Sequence, residues 1–240
     1  MDQTIILITG GSRGLGAEFV EKLSCSEENI VYFTYSNHTA TFQTKRNITS
    51  VLCDQKNETE VMNCVSDILK EHGKIDVLVN NACSSFRPCD YLETDWSMFQ
   101  TIIDVNVKGA YFFTKEVCTA MKQRGYGRII NILSSYAMNV PPEKLSFYVT
   151  AKYALMGLSK AAAVELCKYG ITVNMISPGM MSTELTDYLP ARYLEAYQQK
   201  HPMKRMTTTS DVAEVLKFLI SDQAQFLNGV NIPVTGGEVF

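Results

Sequence analysis

The sequence predicts an α/β protein: a single doubly wound domain over residues 1–240, its seven-stranded parallel sheet covered by helices on both faces. Three observations carry this reading. Short apolar runs alternate with helix-length amphipathic segments along the whole chain. The inner runs are continuously apolar, as strands buried on both faces must be. No Pro/Gly/Ser-rich linker, long charge run or low-complexity tract divides the chain.

Taken in order, Ile5–Ile8 reads as a strand, followed by a glycine turn and a helix to about Leu23. Ile30–Thr34 is a second strand and a short third surrounds Val51–Leu52. Glu58–Lys70 is helical, and Val77–Val79 is a fourth strand. A long helix follows, with Ala110, Phe113, Val117 and Met121 at helical spacing. The pattern repeats with the strand Arg128–Leu133, the helix Tyr148–Lys168 and the strand Ile171–Ile176. Asp211–Ile220 is a further helix and Val230–Val234 the last strand. Right-handed crossovers between parallel strands put ligands outside the carboxyl ends of the strands. Functional residues are therefore expected just after strands.

Composition narrows the partners. The net charge of −3 and the lack of a basic stripe interleaved with aromatics argue against nucleic acid. No segment approaches the roughly 20 apolar residues a membrane helix needs. The opening MDQTIILITGG has no basic n-region, so the expected location is the cytoplasm. The seven cysteines are scattered and lack metal-ligand spacing; no metal site and no disulfide framework is expected.

Directly after the first strand comes TGGSRGLG, Thr9 to Gly16. Gly10, Gly14 and Gly16 suit a tight turn, a close approach to a pyrophosphate and close helix–strand packing, with Ser12, Arg13 and Leu15 between them. The helix that follows offers amide donors and the positive end of its dipole to phosphate. An NAD site would place an acid at the end of the second strand to bind the ribose hydroxyls. Here Thr34-Tyr35-Ser36-Asn37 stands instead, and no Asp or Glu occurs between Glu28 and Asp54. Arg13 is a ready partner for a 2′-phosphate, with Ser36 as hydroxyl donor beside Tyr35. NADP(H) is therefore favoured over NAD(H).

From this point the chain resembles the classical short-chain dehydrogenase/reductase family over nearly its whole length. Thr9, Gly10, Gly14 and Gly16 match its TGxxxGxG turn, and Asp54 stands where the family has an adenine-contacting Asp. Asn80-Asn81-Ala82 matches the start of its NNAG motif. Asn106 in DVNVKG, the serines of NILSS, Tyr148-x-x-x-Lys152, and Asn174 with Pro178-Gly179 and Thr183 complete the set in order. The resemblance implies a Rossmann-type fold, with Asn80 and Ala82 beside the cofactor and Pro178, Gly179, Met181 and Thr183 near its nicotinamide, carboxamide and phosphate. It further implies that Lys152 bonds the nicotinamide ribose, that Asn106 holds a water in a proton relay, and that a serine polarises the substrate carbonyl beside Tyr148. A homotetramer or homodimer through the helices Asn106–Lys122 and Tyr148–Lys168 is also implied.

The chemistry can be argued from the residues alone. Carbonyl reduction needs a proton donor at the developing alkoxide. A phenol titrates near 10, and a lysine four residues on along a helix shares its face. The Lys152 ammonium is expected to lower the Tyr148 pKa. The serine stays open at this point. Counting from Asn106, or from Gly127-Arg128, selects Ser134, which is preferred; counting back from Tyr148 selects Ser135. One extra residue therefore lies in the stretch, and Asn139–Lys144 is a plausible loop for it. A second departure is Cys83, where the family's motif ends in Gly.

The pattern is most similar to 3-oxoacyl-[acyl-carrier-protein] reductases, which implies a ketone substrate that is small or carrier-bound. Lys122, Arg124 and Arg128 are candidate contacts for an acidic carrier. A dehydrogenase or reductase of a sugar, polyol or secondary-metabolite ketone is the alternative. A non-catalytic dinucleotide-binding sensor is the alternative from another class. The segment Ser182–Arg205, with Leu185, Tyr188, Tyr193 and Tyr197, reads equally as substrate cover or helix core.

Overall fold

A computed structural model of the chain describes residues 3–37 and 45–239. Seven parallel strands form one sheet in the order β3-β2-β1-β4-β5-β6-β7. They are β1 (Thr4–Ile8), β2 (Asn29–Tyr35), β3 (Ile48–Leu52), β4 (Val77–Asn80), β5 (Gly127–Ile132), β6 (Ile171–Pro178) and β7 (Asn231–Val234). The order reverses direction between β1 and β4, which opens a crevice at their carboxyl ends.

Both faces of the sheet are covered, and the two-residue strand period decides which side chain goes where. Ile6 and Ile8 point to the face packed by Phe19, Val20 and Leu23 of α1 (Gly14–Leu23) and Val212, Leu216 and Leu219 of α7 (Thr209–Ile220). Ile5 and Leu7 point to the other face, under Val61, Val65 and Ile68 of α2 (Glu58–His72) and Phe113, Val117 and Met121 of α4 (Ala110–Arg124). This is why the inner strands read as unbroken apolar runs. Phe19 and Phe113 are fully buried, and truncating either to Ala removes about 3–5 kcal/mol of core packing.

Local signals end the helices. Asn57 caps α2 by accepting from the Thr59 amide, and Gly73 closes it in the left-handed region at φ 69°. Thr208 and Asp211 form a reciprocal capping box at the start of α7.

Three elements differ from the sequence reading. The third strand begins at Ile48, because an edge strand can expose Thr49 and Ser50 to solvent. The long helix before β5 is divided: α3 (Trp96–Ile103), one π-helical turn over Asp104–Gly109, then α4. Within the Ser182–Arg205 segment a helix, α6 (Ala191–Lys200), forms without a fully buried residue, its Leu194 and Tyr197 only partly covered. The remaining long helix is α5 (Ser146–Leu166), which carries Tyr148 and Lys152. Among the described residues no helix is long and apolar enough to cross a membrane.

Candidate active site

A cavity of about 570 Å³ opens along the carboxyl ends of the strands, from the ends of β2 and β3 to the segment after β6. Its wall includes Gly10, Ser12, Arg13, Gly14, Leu15 and Gly16 of the glycine turn, and Tyr35, Ser36 and Asp54 at the β2–β3 end. Ala82, Ser134, Tyr148 and Lys152 line it further along, as do Pro178, Gly179, Met181 and Thr183 after β6.

The glycine turn is fixed by backbone geometry. Gly10 has φ +65°, and a Cβ there would stand 2.8 Å from the Ala82 Cα. A Cβ at Gly16 would overlap the Gly10 carbonyl oxygen. Thr9 Oγ1 accepts from the amides of Asn81 and Ala82, both at 3.0 Å. The Asn81 side-chain amide donates back to Thr9 O at 2.9 Å and Gly10 O at 3.0 Å. Arg13 takes the N-cap position of α1 without making a side-chain cap, which leaves first-turn amides for an anion. These features fit a dinucleotide pyrophosphate. The Glu184 carboxylate lies against Gly14 at the same helix end, 3.2 Å from where a Cβ would stand, and must turn away for a phosphate to seat.

At the other end of the cavity, Tyr148 sits in the first turn of α5 with Lys152 one turn on. Both are buried, at 8% and 3% exposure. The Ser134 hydroxyl lies close enough to the Tyr148 phenol to favour its charged form, and it accepts from the Tyr136 amide. Ser135 is buried in the next turn and also lines the cavity, without that effect on the phenol. Lys152 Nζ donates to the Ile132 carbonyl at 2.9 Å and lies 5.6 Å from the Tyr148 ring centre. The segment proposed for the extra residue, Asn139–Lys144, is a mostly exposed loop, where Lys144 takes a left-handed φ of 66° and its carbonyl accepts from the Cys89 amide.

Electrostatics correct one expectation. Burial pushes the Tyr148 phenol well above its ordinary value, and the neighbouring Cys83 thiol adds to that; the nearby Ser134 hydroxyl opposes it. Burial likewise pushes the Lys152 amine down. The expected lowering of the phenol by Lys152 is thus outweighed by desolvation, which favours the neutral form of both groups.

Two residues expected at the site lie behind its wall. Asn80 ends β4 with its side chain turned inward, donating to Asn131 Oδ1 at 2.8 Å and to Thr114 Oγ1 at 3.2 Å. Its neighbour Asn81 faces the cavity instead, since successive strand residues point to opposite sides. Asn106 lies in the π-helical turn, 2% exposed, donating to Ile102 O at 3.0 Å while its Oδ1 has no partner. A buried acceptor of that kind is suited to an ordered water.

Arg13 donates across the cleft to Ser85 Oγ at 3.0 Å, and Ser36 lines the same cavity. The basic residues considered for carrier docking stand at the amino ends of β4 and β5, away from the cavity. There Arg124 is paired with Asp76 at 2.6 Å, and Arg128 is 4% exposed and stacked on Tyr126. Lys122 lies over the Tyr169 ring.

Lining residues not assigned to the site from the sequence include Asn81, named there only as part of a motif, and Gln55, Lys56, Glu184 and Phe86. Phe86 packs on the Tyr148 ring at 4.8 Å and on Phe147 at 5.5 Å. Asn81 could have been found from its place in the motif; the others had no local signal.

With this geometry described, likeness to known proteins can be set beside it. A family model described as enoyl-(acyl carrier protein) reductase matches residues 10–238. The chain is 32% identical to the 3-oxoacyl-[acyl-carrier-protein] reductase FabG of Buchnera aphidicola subsp. Baizongia pistaciae, covering 97% of this chain and 96% of that protein. It is 32% identical to short-chain dehydrogenase reductase 3a of Arabidopsis thaliana, covering 99% and 95%. Among solved structures, ElxO with NADP bound superposes with a TM-score of 0.88 at 31% identity, covering 98% of each chain.

Proposed function

This chain belongs to the short-chain dehydrogenase/reductase family of oxidoreductases, and from that premise we propose that it is an NADPH-dependent carbonyl reductase with Tyr148 as general acid. The observation that carries the proposal is that Ser134, Tyr148 and Lys152 line the same cavity as the glycine turn, with Ser134 acting directly on the Tyr148 phenol. The NADP bound to ElxO supports the choice of dinucleotide.

A bound nicotinamide dinucleotide supplies the hydride. The chain's own residues do the rest. The first-turn amides of α1, at Gly14, Leu15 and Gly16, hold the pyrophosphate, and Asp54 contacts the adenine. Arg13 leaves Ser85, a solvent-exposed bond worth about 0.5–1.5 kcal/mol, and turns to a 2′-phosphate beside Ser36. Lys152 keeps one N–H on Ile132 O and has a further N–H to offer the ribose hydroxyls. Asn106 Oδ1 anchors a water behind Lys152 for proton resupply.

Ser134 and Tyr148 present two hydroxyl donors to one carbonyl oxygen. Tyr148 transfers its proton to the alkoxide as it forms. The upward shift of the phenol suits this direction of reaction, because the proton donor stays protonated through neutral pH.

The substrate proposed is a 3-oxoacyl thioester, in line with the FabG relative. A second reading, a ketone on a ring, is favoured by the aromatic wall of Phe86, Tyr136 and Tyr188 around the phenol. The enzyme is proposed to work as one domain in the cytoplasm, as a homotetramer or homodimer; light scattering tests the assembly, and a monomer would refute it.

The deciding assay follows NADPH consumption against acetoacetyl thioesters, cyclic ketones, quinones and sugars. Tyr148→Phe is expected to lower kcat by roughly 10²–10⁴-fold while leaving NADPH affinity nearly unchanged. Normal turnover in that variant would sink the assignment. A catalytic efficiency higher with NADH than with NADPH would overturn the cofactor preference. Tight NADPH binding with no oxidation on any ketone would favour a sensor instead.

A further inference from the structure

The π-helical turn over Asp104–Gly109 is an uncommon device, and something must hold it. Inside it, Asn106 sends its side-chain amide to Ile102 O, the carbonyl that an α-helix would offer to the Asn106 backbone N–H. At its end the Ala110 amide turns to Val107 O, three residues back, rather than to Val105 O, five residues back. The Val105 carbonyl receives a donor from outside the helix: the side-chain Nε2 of Gln55.

Gln55 is 7% exposed, and its Cγ, Cδ and Nε2 fill the space over Gly109, where a Cβ would stand 2.7 Å from the Gln55 Cγ. Its Oε1 is buried without a partner, as the orientation requires, because the Val105 carbonyl can be satisfied only by the amide's nitrogen. Gln55 follows Asp54 directly, in a turn closed by the Asn57 amide on Asp54 O at 2.8 Å. One short turn therefore carries an adenine-side residue of the cavity and the only side chain among the described residues seen to donate to Val105 O.

We propose that Gln55 is a positioning residue: by donating to Val105 O and packing on Gly109 it holds the π-helical turn that presents Asn106 to the proton relay. The inference rests on the carbonyl-reductase reading for its kinetic consequence, but not for its structural one. Loss of the donor lets the segment relax toward α-helical register, which rotates the residues after Val105 about the helix axis and moves the Asn106 carboxamide.

Two variants test it. Gln55→Met keeps length and apolar bulk but removes the donor. Gln55→Glu keeps the shape and donates only when its buried carboxyl is protonated. In Gln55→Met, hydrogen exchange of the amides from 104 to 110 is expected to quicken about tenfold, and kcat to fall about tenfold with the NADPH KM within about twofold. In Gln55→Glu, kcat relative to wild type is expected to rise at least about fivefold from pH 8 to pH 5.5, because burial raises the introduced carboxyl's pKa. Asp54 and Lys56 beside position 55 in sequence, Asp104 and Lys108 on the π turn, and Glu58 with Lys115 nearby on α2 and α4 are common to both proteins, so the ratio cancels them.

Wild-type exchange and kcat in Gln55→Met would overturn the proposal, as would a Gln55→Glu ratio that does not change with pH. Exchange needs no substrate. If the wild type reduced no ketone while exchange still responded to Gln55→Met, the carbonyl-reductase reading would fall and the pinning role would stand.

Discussion

The two ends of the cavity are built by different means. The pyrophosphate end is tied to the main chain: the Thr9 and Asn81 side chains join the ends of β1 and β4 through four bonds to backbone groups, and glycines let the chain pack against itself. The substrate end is walled by side chains from segments after β4, β5 and β6, among them Phe86, Leu145, Leu185 and Leu189. The helix beyond it, α6, has no fully buried residue. Backbone construction tolerates almost no substitution, whereas a side-chain wall can be re-cut without disturbing the sheet. One scaffold can thus keep a cofactor and change a substrate.

Three substitutions press on that contrast. Gly16→Ala has the largest expected effect. The added methyl meets the Gly10 carbonyl and cannot be absorbed by a flexible side chain, so the protein loses about 1–3 kcal/mol of stability. NADPH binding weakens by at least about tenfold with it, and thermal melting with cofactor fluorescence reads both. A variant that binds and melts like wild type would mean the turn is more pliable than its geometry implies.

Phe86→Ala comes next. Removing a ring packed on Tyr148 and Phe147 is expected to raise the ketone KM about tenfold, with NADPH affinity within about twofold. A comparable loss in both would show that the two ends are not separable. Tyr188→Ala is the mildest. The side chain is 40% exposed on the outer segment, so stability should stay within about 0.5 kcal/mol of wild type while ketone preference shifts. A drop in melting temperature of several degrees would show that the cover is part of the fold.

The same contrast explains what the sequence disclosed. The glycine turn and the Tyr148–Lys152 spacing are local patterns whose positions follow from strand ends and helix pitch, and both line the cavity. Adjacent residues of one motif are harder: nothing local tells whether Asn80 or Asn81 faces outward, because that depends on where β4 stops. The choice between Ser134 and Ser135 has the same origin: both line the cavity, and which of them acts on Tyr148 depends on three-dimensional placement. The sign of the phenol shift was misread because burial belongs to the tertiary structure; the sequence shows Lys152 nearby but not the absence of water. The Arg13–Ser85 bond had no sequence signal, since the two residues lie 72 positions apart. Gln55 had no signal, since its partner Val105 lies 50 residues away.

The position of β1 also has a consequence for how the chain is made. Its Ile6, Leu7 and Ile8 pair with Val77, Leu78 and Val79, residues synthesised some seventy positions later. At roughly 5–20 residues per second, a ribosome leaves that edge without its partner for several seconds after β2 has covered the other side. An all-apolar strand with an open edge is the kind of surface that pairs with neighbouring chains. The crevice that lets the folded molecule take a dinucleotide, at the β1–β4 seam, is therefore also the seam where the newborn chain is most exposed to misassembly.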